Sequence, residues 1–284
     1  MDILVHGGAG GPPTAPEERQ AVLERAAKAG ANEETVVAAV VTAISMLESS
    51  PRFNAGTGGA VQSDGLVRTD AGIMTADRSV GAACGMVGVE NAIQVAARVM
   101  QRTPHVLLAG ARACEFAALE GIATDCDLLT DKTRERWLDA ELLEADLSVQ
   151  LETVSSGFGS GHDTVGAVAT DGEQCVAGTS TGGRWLALAG RVGDVPQIGS
   201  GFFASDVGAI STTGAGEDIA KVTLSRLAEF SLREHGDPTR AAREALDRLT
   251  ELTTGTAGLI VMTPGGECGS AFSSEMMQTA VART

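Results

Sequence analysis

Residues 161–171 read GHDTVGAVATD. A Gly/Ser-rich run, SSGFGSGH at 155–162, ends at Asp163-Thr164. The TVGAVAT that follows is small, β-branched and apolar, the pattern of a buried strand. A threonine hydroxyl is a weak nucleophile unless a base lies beside it. A free α-amine on the same residue is such a base, with an ordinary pKa of about 8. That amine exists only once the preceding bond is cut. A pliable loop running into a fixed strand suits the cut: the hydroxyl attacks the Asp163 carbonyl, an ester replaces the amide, and water frees Thr164 as a new N-terminus. Spacing alone leaves an ordinary strand-opening threonine as the competing reading, since many strands begin this way.

Two other chemistries present themselves. GTSTG at 178–182 matches G-x-S-x-G, and HGGAG at 6–10 resembles an oxyanion loop, which would make Ser180 a nucleophile. That arrangement needs a helix after the serine and a histidine downstream. The sequence continues GGRW, a turn, and the only later histidine is His235, at the end of an expected surface helix. A nucleotide site fares no better: no G-x-x-x-x-G-K-[ST] is present, and no G-x-G-x-x-G sits between strand and helix. TGAGE at 213–217 opens an expected helix, whose free N–H groups favour an oxyanion or a carboxylate.

The elements that position these residues alternate irregularly. Strands are expected at 3–5 and 80–87, short ones around 186–188 and 202–210, and a pair spanning 164–181. A hairpin is expected at 61–72, turning at Asp64-Gly65, and another closes the chain at 257–273. Helices are expected at 16–28, with acidic residues in its first turn and basic ones later, and at 33–47, 91–101, 111–120, 133–149, 218–235 and 238–252. A linker is expected at 152–163. There is no βαβα rhythm, so two sheets face to face with helices outside fit better than a doubly wound parallel sheet.

Composition narrows the partners. The 284-residue chain is 43% hydrophobic, with two Trp, seven Phe and no Tyr, so Ala, Val and Gly do the packing. Its net charge is −16, which argues against nucleic acid or an anionic membrane. Three Lys stand against 18 Arg, which is expected of salt adaptation or of simple solubility. Five scattered Cys without C-x-x-C indicate reduced thiols rather than zinc or disulfides. No signal segment or membrane-length apolar run is seen, so a cytoplasmic location is expected.

Six motifs raise the threonine reading. ILVHGGAG, FNAGTGGA, HDTVGAVATD, TSTGG, GRVGDVPQIGSGF and STTGAGE occur in this order between residues 3 and 217. In that order they resemble the plant-type asparaginase and isoaspartyl peptidase family of N-terminal nucleophile hydrolases. The resemblance implies an α+β, four-layer αββα sandwich, one domain over 1–284, autocleaved into 1–163 and 164–284. It implies hydrolysis of the L-asparagine side-chain amide, and of β-aspartyl peptides, with no organic cofactor.

Carried over by motif, Thr164 resembles the nucleophile and Thr181 the threonine that hydrogen-bonds it. Thr213 and Gly214 resemble the oxyanion hole, and Asn54 the asparagine that supports processing. Arg191 and Asp194, with Gly193 and Gly216, resemble the site for the substrate's α-carboxylate and α-ammonium. A surface Arg–Asp pair is their structural alternative. The turn of Leu47, Glu48, Phe53, Ala55 and Thr57 resembles a main-chain cage for a monovalent cation such as Na⁺. A dimer of processed pairs is also implied. Two positions depart from the family pattern. Asp163 stands where plant-type members usually carry Gly, making HDT more like glycosylasparaginases, and Ala215 stands where the family often has a larger or polar residue. Glycosylasparaginase-like cleavage, and an unprocessed protein that binds aspartate or asparagine without turnover, are the alternative functions.

Overall fold

β1 (Asp2–Gly10) runs unbroken through HGGAG, well past the expected 3–5. The computed structural model describes residues 1–140, 146–155 and 164–284. After β1 come α1 (Pro16–Ala31) and α2 (Val36–Glu48), then β2 (Arg68–Thr75), β3 (Val80–Val87), α3 (Ala92–Arg102), β4 (Leu107–Ala109) and α4 (Gly110–Leu119). Next are α5 (Asp131–Asp139), α6 (Leu147–Ser155), β5 (Val165–Thr170), β6 (Cys175–Thr181), β7 (Phe202–Ser205) and β8 (Gly208–Gly214). The chain ends with α7 (Gly216–Val222), α8 (Leu224–His235), α9 (Pro238–Leu252), β9 (Ala257–Met262), β10 (Cys268–Phe272) and β11 (Met276–Arg283).

One sheet has the order β11-β1-β5-β6-β2-β3-β4 and the other β10-β9-β8-β7. All pairings are antiparallel except β3 with β4. Side chains alternate between faces along each strand. Val165, Ala167 and Ala169 therefore join Leu23, Val40 and Ile44 of α1 and α2 in one core. Val168 points the other way, into a core with Phe202, Ala209 and Ile260 of the second sheet. A third core packs Ile210, Leu259 and Val261 against α7, α8 and α9. Helix, sheet, sheet, helix: this is the expected αββα sandwich.

Several expected elements differ. The 61–72 hairpin reduces to a Val61–Val67 bridge, because β2 finds its partners in β3 and β6 instead. No strand forms at 186–188, where a turn at Leu186 leads into irregular chain. The strand structure expected around 202–210 is the hairpin of β7 and β8, which turns after Ser205 and runs on to Gly214. The 218–235 helix breaks at Thr223, whose φ of 53° is left-handed. The 133–149 helix is two elements: α5 stops at Asp139, and the Asp146 carboxylate accepts the N–H groups of Ser148 and Val149 to begin α6. The 152–163 linker starts inside α6, and its residues 156–163, including Asp163, lie outside the described residues. β11 was not foreseen. It pairs with β1 at the sheet edge.

Candidate active site

The central strands collect hydroxyl groups in the gap between the sheets. Val165 pairs with Ser180 across β5 and β6, so the register sets Thr164, one residue before β5, beside Thr181. Gly166 faces the gap: a Cβ there would collide with Ser211 Oγ and His6 Nε2. Thr164, two residues earlier, belongs to the same face and is 6% exposed. Across the gap β8 presents Ser211 and Thr213. A β-bulge between His6 and Ala9 bends β1, and the Ala9 N–H donates to Thr213 Oγ1 at 3.3 Å. Gly214 has φ 138°, and a side chain there would strike the Thr256 carbonyl and Ala257, so only glycine suits this backbone.

Asn54 ties two turns together at the end of β6. Its Nδ2 donates to the Gly183 carbonyl at 2.6 Å, its Oδ1 accepts from Ala60 N at 2.8 Å, and its carbonyl accepts from Gly182 N at 2.8 Å. Thr181 Oγ1 accepts from Gly183 N at 3.1 Å and lies 3.5 Å from the Asn54 carbonyl. The glycines of TSTGG and TGGA are needed because the two backbones cross here: a Cβ on Gly182 would collide with Gly59 Cα.

The GRVGD loop supplies the charged part. A Cβ on Gly216 would lie 2.7 Å from both Arg191 Nη2 and Asp194 Oδ1, and one on Gly193 would lie 2.7 Å from Arg191 Nη1. The guanidinium thus lies over two glycines with Asp194 beside it. The Asp194 side of this pair is buried, at 4% exposure, so the alternative of a surface Arg–Asp pair does not hold. The ion-pair partner of Arg191 is Glu217, at 2.8 Å from Nε, with Arg184 on the other oxygen at 3.3 Å. Burial pushes Glu217 up, but the hydrogen bond and charge of Arg191 outweigh it and hold the carboxyl at about 2. Burial raises Asp194 to about 7 against the pull of Arg191. Glu217 was overlooked in the sequence although it stands in the TGAGE motif. The signal was an acid in the first turn of a helix that opens onto the site.

Two further buried groups were missed. Asp70 pairs in register with Thr181 and accepts the Gly85 N–H at 2.7 Å. Burial raises it to about 7, with the Arg191 charge opposing, so it links the threonine group to the GRVGD loop. His6 Nε2 lies 2.9 Å from Ser211 Oγ, which lies 2.7 Å from Thr179 Oγ1. Burial lowers the imidazole to about 3, with the Thr164 main chain opposing, so it is neutral at pH 7. The serine-hydrolase reading fails on geometry. Ser180 points to the helix side of the sheet and donates to Glu48 Oε1 at 2.5 Å, while His235 lies near Glu234 and Glu244. At TGAGE, the Glu217 carboxylate in the first turn of α7 is held by Arg184 and Arg191.

The 47–57 turn has a character suited to a hard cation. Leu47 O and Glu48 O accept from Ser50 N and Thr57 N. Among the described residues no N–H donates to the carbonyls of Phe53, Ala55 or Thr57. Main-chain oxygens are the donors such ions take. Glu48 is also buried, and burial raises its side chain to about 8. No cluster of three His, Cys, Asp or Glu that could hold a metal occurs among the described residues, and all five cysteines are free thiols. No described helix is long and apolar enough to cross a membrane.

An αββα sandwich whose gap holds hydroxyls, with a threonine at the head of a central strand, is the architecture of N-terminal nucleophile hydrolases. Within that class, the chain belongs to the asparaginase family, whose model matches residues 1–284. It is 40% identical over 299 residues to the plant-type L-asparaginase of Pyrococcus furiosus, covering 98% of this chain and 95% of that one. It is 39% identical over 293 residues to the isoaspartyl peptidase/L-asparaginase of Bos taurus, covering 99% and 92%. The Danio rerio protein of the same name is 37% identical over 294 residues, covering 99% and 92%.

Proposed function

We propose that this chain hydrolyses the side-chain amide of L-asparagine to aspartate and ammonia, and cleaves β-aspartyl peptides, after cutting itself before Thr164. The observation that carries the reading is the register that sets Thr164 beside Thr181 in the gap faced by Thr213. In the cut, the Thr164 hydroxyl attacks the Asp163 carbonyl, the C–N bond breaks as an ester C–O bond forms, and water hydrolyses the ester. The carboxylate stays on Asp163, and Thr164 keeps its hydroxyl and gains a free amine.

In turnover that amine takes the hydroxyl proton, and the hydroxyl attacks the substrate carbonyl. Thr213 Oγ1 and the Gly214 N–H stabilise the oxyanion. The protonated amine gives its proton to the leaving nitrogen, and water then releases aspartate from the ester. Arg191 forks onto the substrate α-carboxylate and Asp194 faces its α-ammonium. Thr181 hydrogen-bonds the nucleophile, and Asn54 holds the turn that carries Thr181. The 47–57 carbonyls would hold a sodium ion that stiffens this turn. The processed pairs dimerise, which sedimentation of the purified protein tests.

The deciding experiment is a denaturing gel with mass determination. Two fragments of 163 and 121 residues, with Thr at the new N-terminus, are expected. Thr164→Ala stays intact and releases no ammonia from asparagine. A wild-type chain that remains full length after long incubation refutes the reading and leaves a binding protein. A processed and active Thr164→Ala variant refutes the nucleophile.

A further inference from the structure

A cavity of about 960 Å³ opens beside the proposed oxyanion hole. Its lining includes Ala9, whose N–H reaches Thr213, and Thr256, whose carbonyl accepts from Ala215 N at 2.9 Å. Arg52 and Lys132 also line it. A second cavity of about 280 Å³, bounded by Asn54 and Trp185, shares Pro51, Arg52 and Lys132 with the first. The two cations therefore stand where the cavities join.

The placement of charge is unusual for this chain. Its net charge is −16 and it has only three lysines, yet one of them lies at this junction. Arg52 is paired with Glu18, and Arg136 stacks over Trp185 at 4.0 Å. Lys132, exposed near the start of α5, has no carboxylate partner among the described residues, and Glu275 is the one acidic side chain along the larger cavity. Ammonia, the leaving group from asparagine, needs neither this volume nor a cation. Cavities of about 300–1,000 Å³ hold ligands far larger than asparagine.

We propose that the cavity is a leaving-group subsite in which Lys132, with Arg52 beside it, holds the α-carboxylate of the amino acid released from a β-aspartyl dipeptide. Pro51, shared by the two cavities, and Trp185 of the adjoining smaller one offer that residue's side chain an apolar wall. The inference rests on the amidohydrolase reading and deepens it: the same nucleophile serves both substrates, and the cations favour the one whose leaving group is an anion.

The test compares kcat/KM of the processed protein on three substrates: asparagine, β-aspartyl-leucine and β-aspartyl-leucinamide, which lacks the carboxylate. A charge-assisted contact makes the wild type favour the acid over the amide by about tenfold. Lys132→Glu reverses that preference, Lys132→Ala brings the acid-to-amide ratio down to between about one and three, and Lys132→Arg retains most of it. The exposed position and equal fragment bands on the gel verify that each variant folds and processes. The proposal is overturned if the wild type turns over acid and amide equally, or if Lys132→Ala slows both equally. A processed wild type that hydrolyses neither asparagine nor the dipeptides refutes the amidohydrolase reading itself, and this inference with it.

Discussion

Replacing Thr213 with Val exchanges one hydroxyl for a methyl at nearly constant volume, in a side chain wholly buried between the sheets. Two costs follow. The Ala9 N–H loses its acceptor. An unsatisfied buried donor costs about 1–3 kcal/mol, and this 3.3 Å bond is long enough to place the loss near the lower end, about 1 kcal/mol. The larger cost falls on turnover. A single oxyanion-hole donor contributes about 10²–10³ in kcat, or about 2.7–4 kcal/mol. The donor acts on charge that develops only in the transition state, so KM should change little. Ammonia release from asparagine by processed Thr213→Val should therefore fall at least about a hundredfold in kcat with KM within about threefold. Thr213→Ser, which keeps the oxygen, should stay within about tenfold of wild type. A thermal melt separates the two costs, and kinetics normalised to the processed fraction on a gel remove any effect on cleavage. A Val variant with wild-type kcat, or one altered only in KM, would remove Thr213 from the oxyanion hole.

Arg191→Lys keeps the charge and loses the fork. With charged hydrogen bonds at about 1.5–3 kcal/mol, KM for asparagine should rise about 10- to 100-fold with a smaller change in kcat, and an unchanged KM would place the substrate carboxylate elsewhere. Gly182→Ala forces a Cβ onto Gly59 and should cost about 1–3 kcal/mol in urea unfolding, together with slower processing. An undisturbed melt would contradict the backbone crossing. Asp70, at about 7 in the fold against 3.8 ordinarily, holds one more proton in the native state between those values. Stability contributed by Asp70 is therefore present at low pH and lost as pH rises through the window, by about 1.4 kcal/mol per unit and roughly 4 kcal/mol in all. In the intact Thr164→Ala background, Asp70→Asn should gain on its parent by several kcal/mol in urea unfolding between pH 4 and pH 8. Parallel pH profiles would show that Asp70 titrates normally.

Local pattern was enough for much of the fold and for the location of the candidate site. The helices at 16–28 and 238–252 were legible because each opens on a proline, followed by acidic Glu17 and Glu18 in the first and preceded by the capping Asp237 in the second, and each has an apolar stripe. The β5–β6 pair was legible because a short Gly turn joins two apolar runs. Thr164 drew attention because a Gly-rich run meets a buried strand there, and six ordered motifs supplied the rest of the site. What the sequence could not determine is pairing at a distance. β2 pairs on one side with β6, about a hundred residues on, and β11 closes on β1 from the far end of the chain, because non-local hydrogen bonds leave no periodic mark. The buried charges were likewise a product of tertiary structure. Nothing in the sequence marks the side chains of Asp70, Glu48 and His6 as buried, and their shifted pKa values come first from that burial between layers. The same holds for Arg191. The motif placed it with Asp194 as a substrate-holding residue, but only the packing of the loop over Gly193 and Gly216 decided that the guanidinium pairs with Glu217 and leaves Asp194 buried beside it.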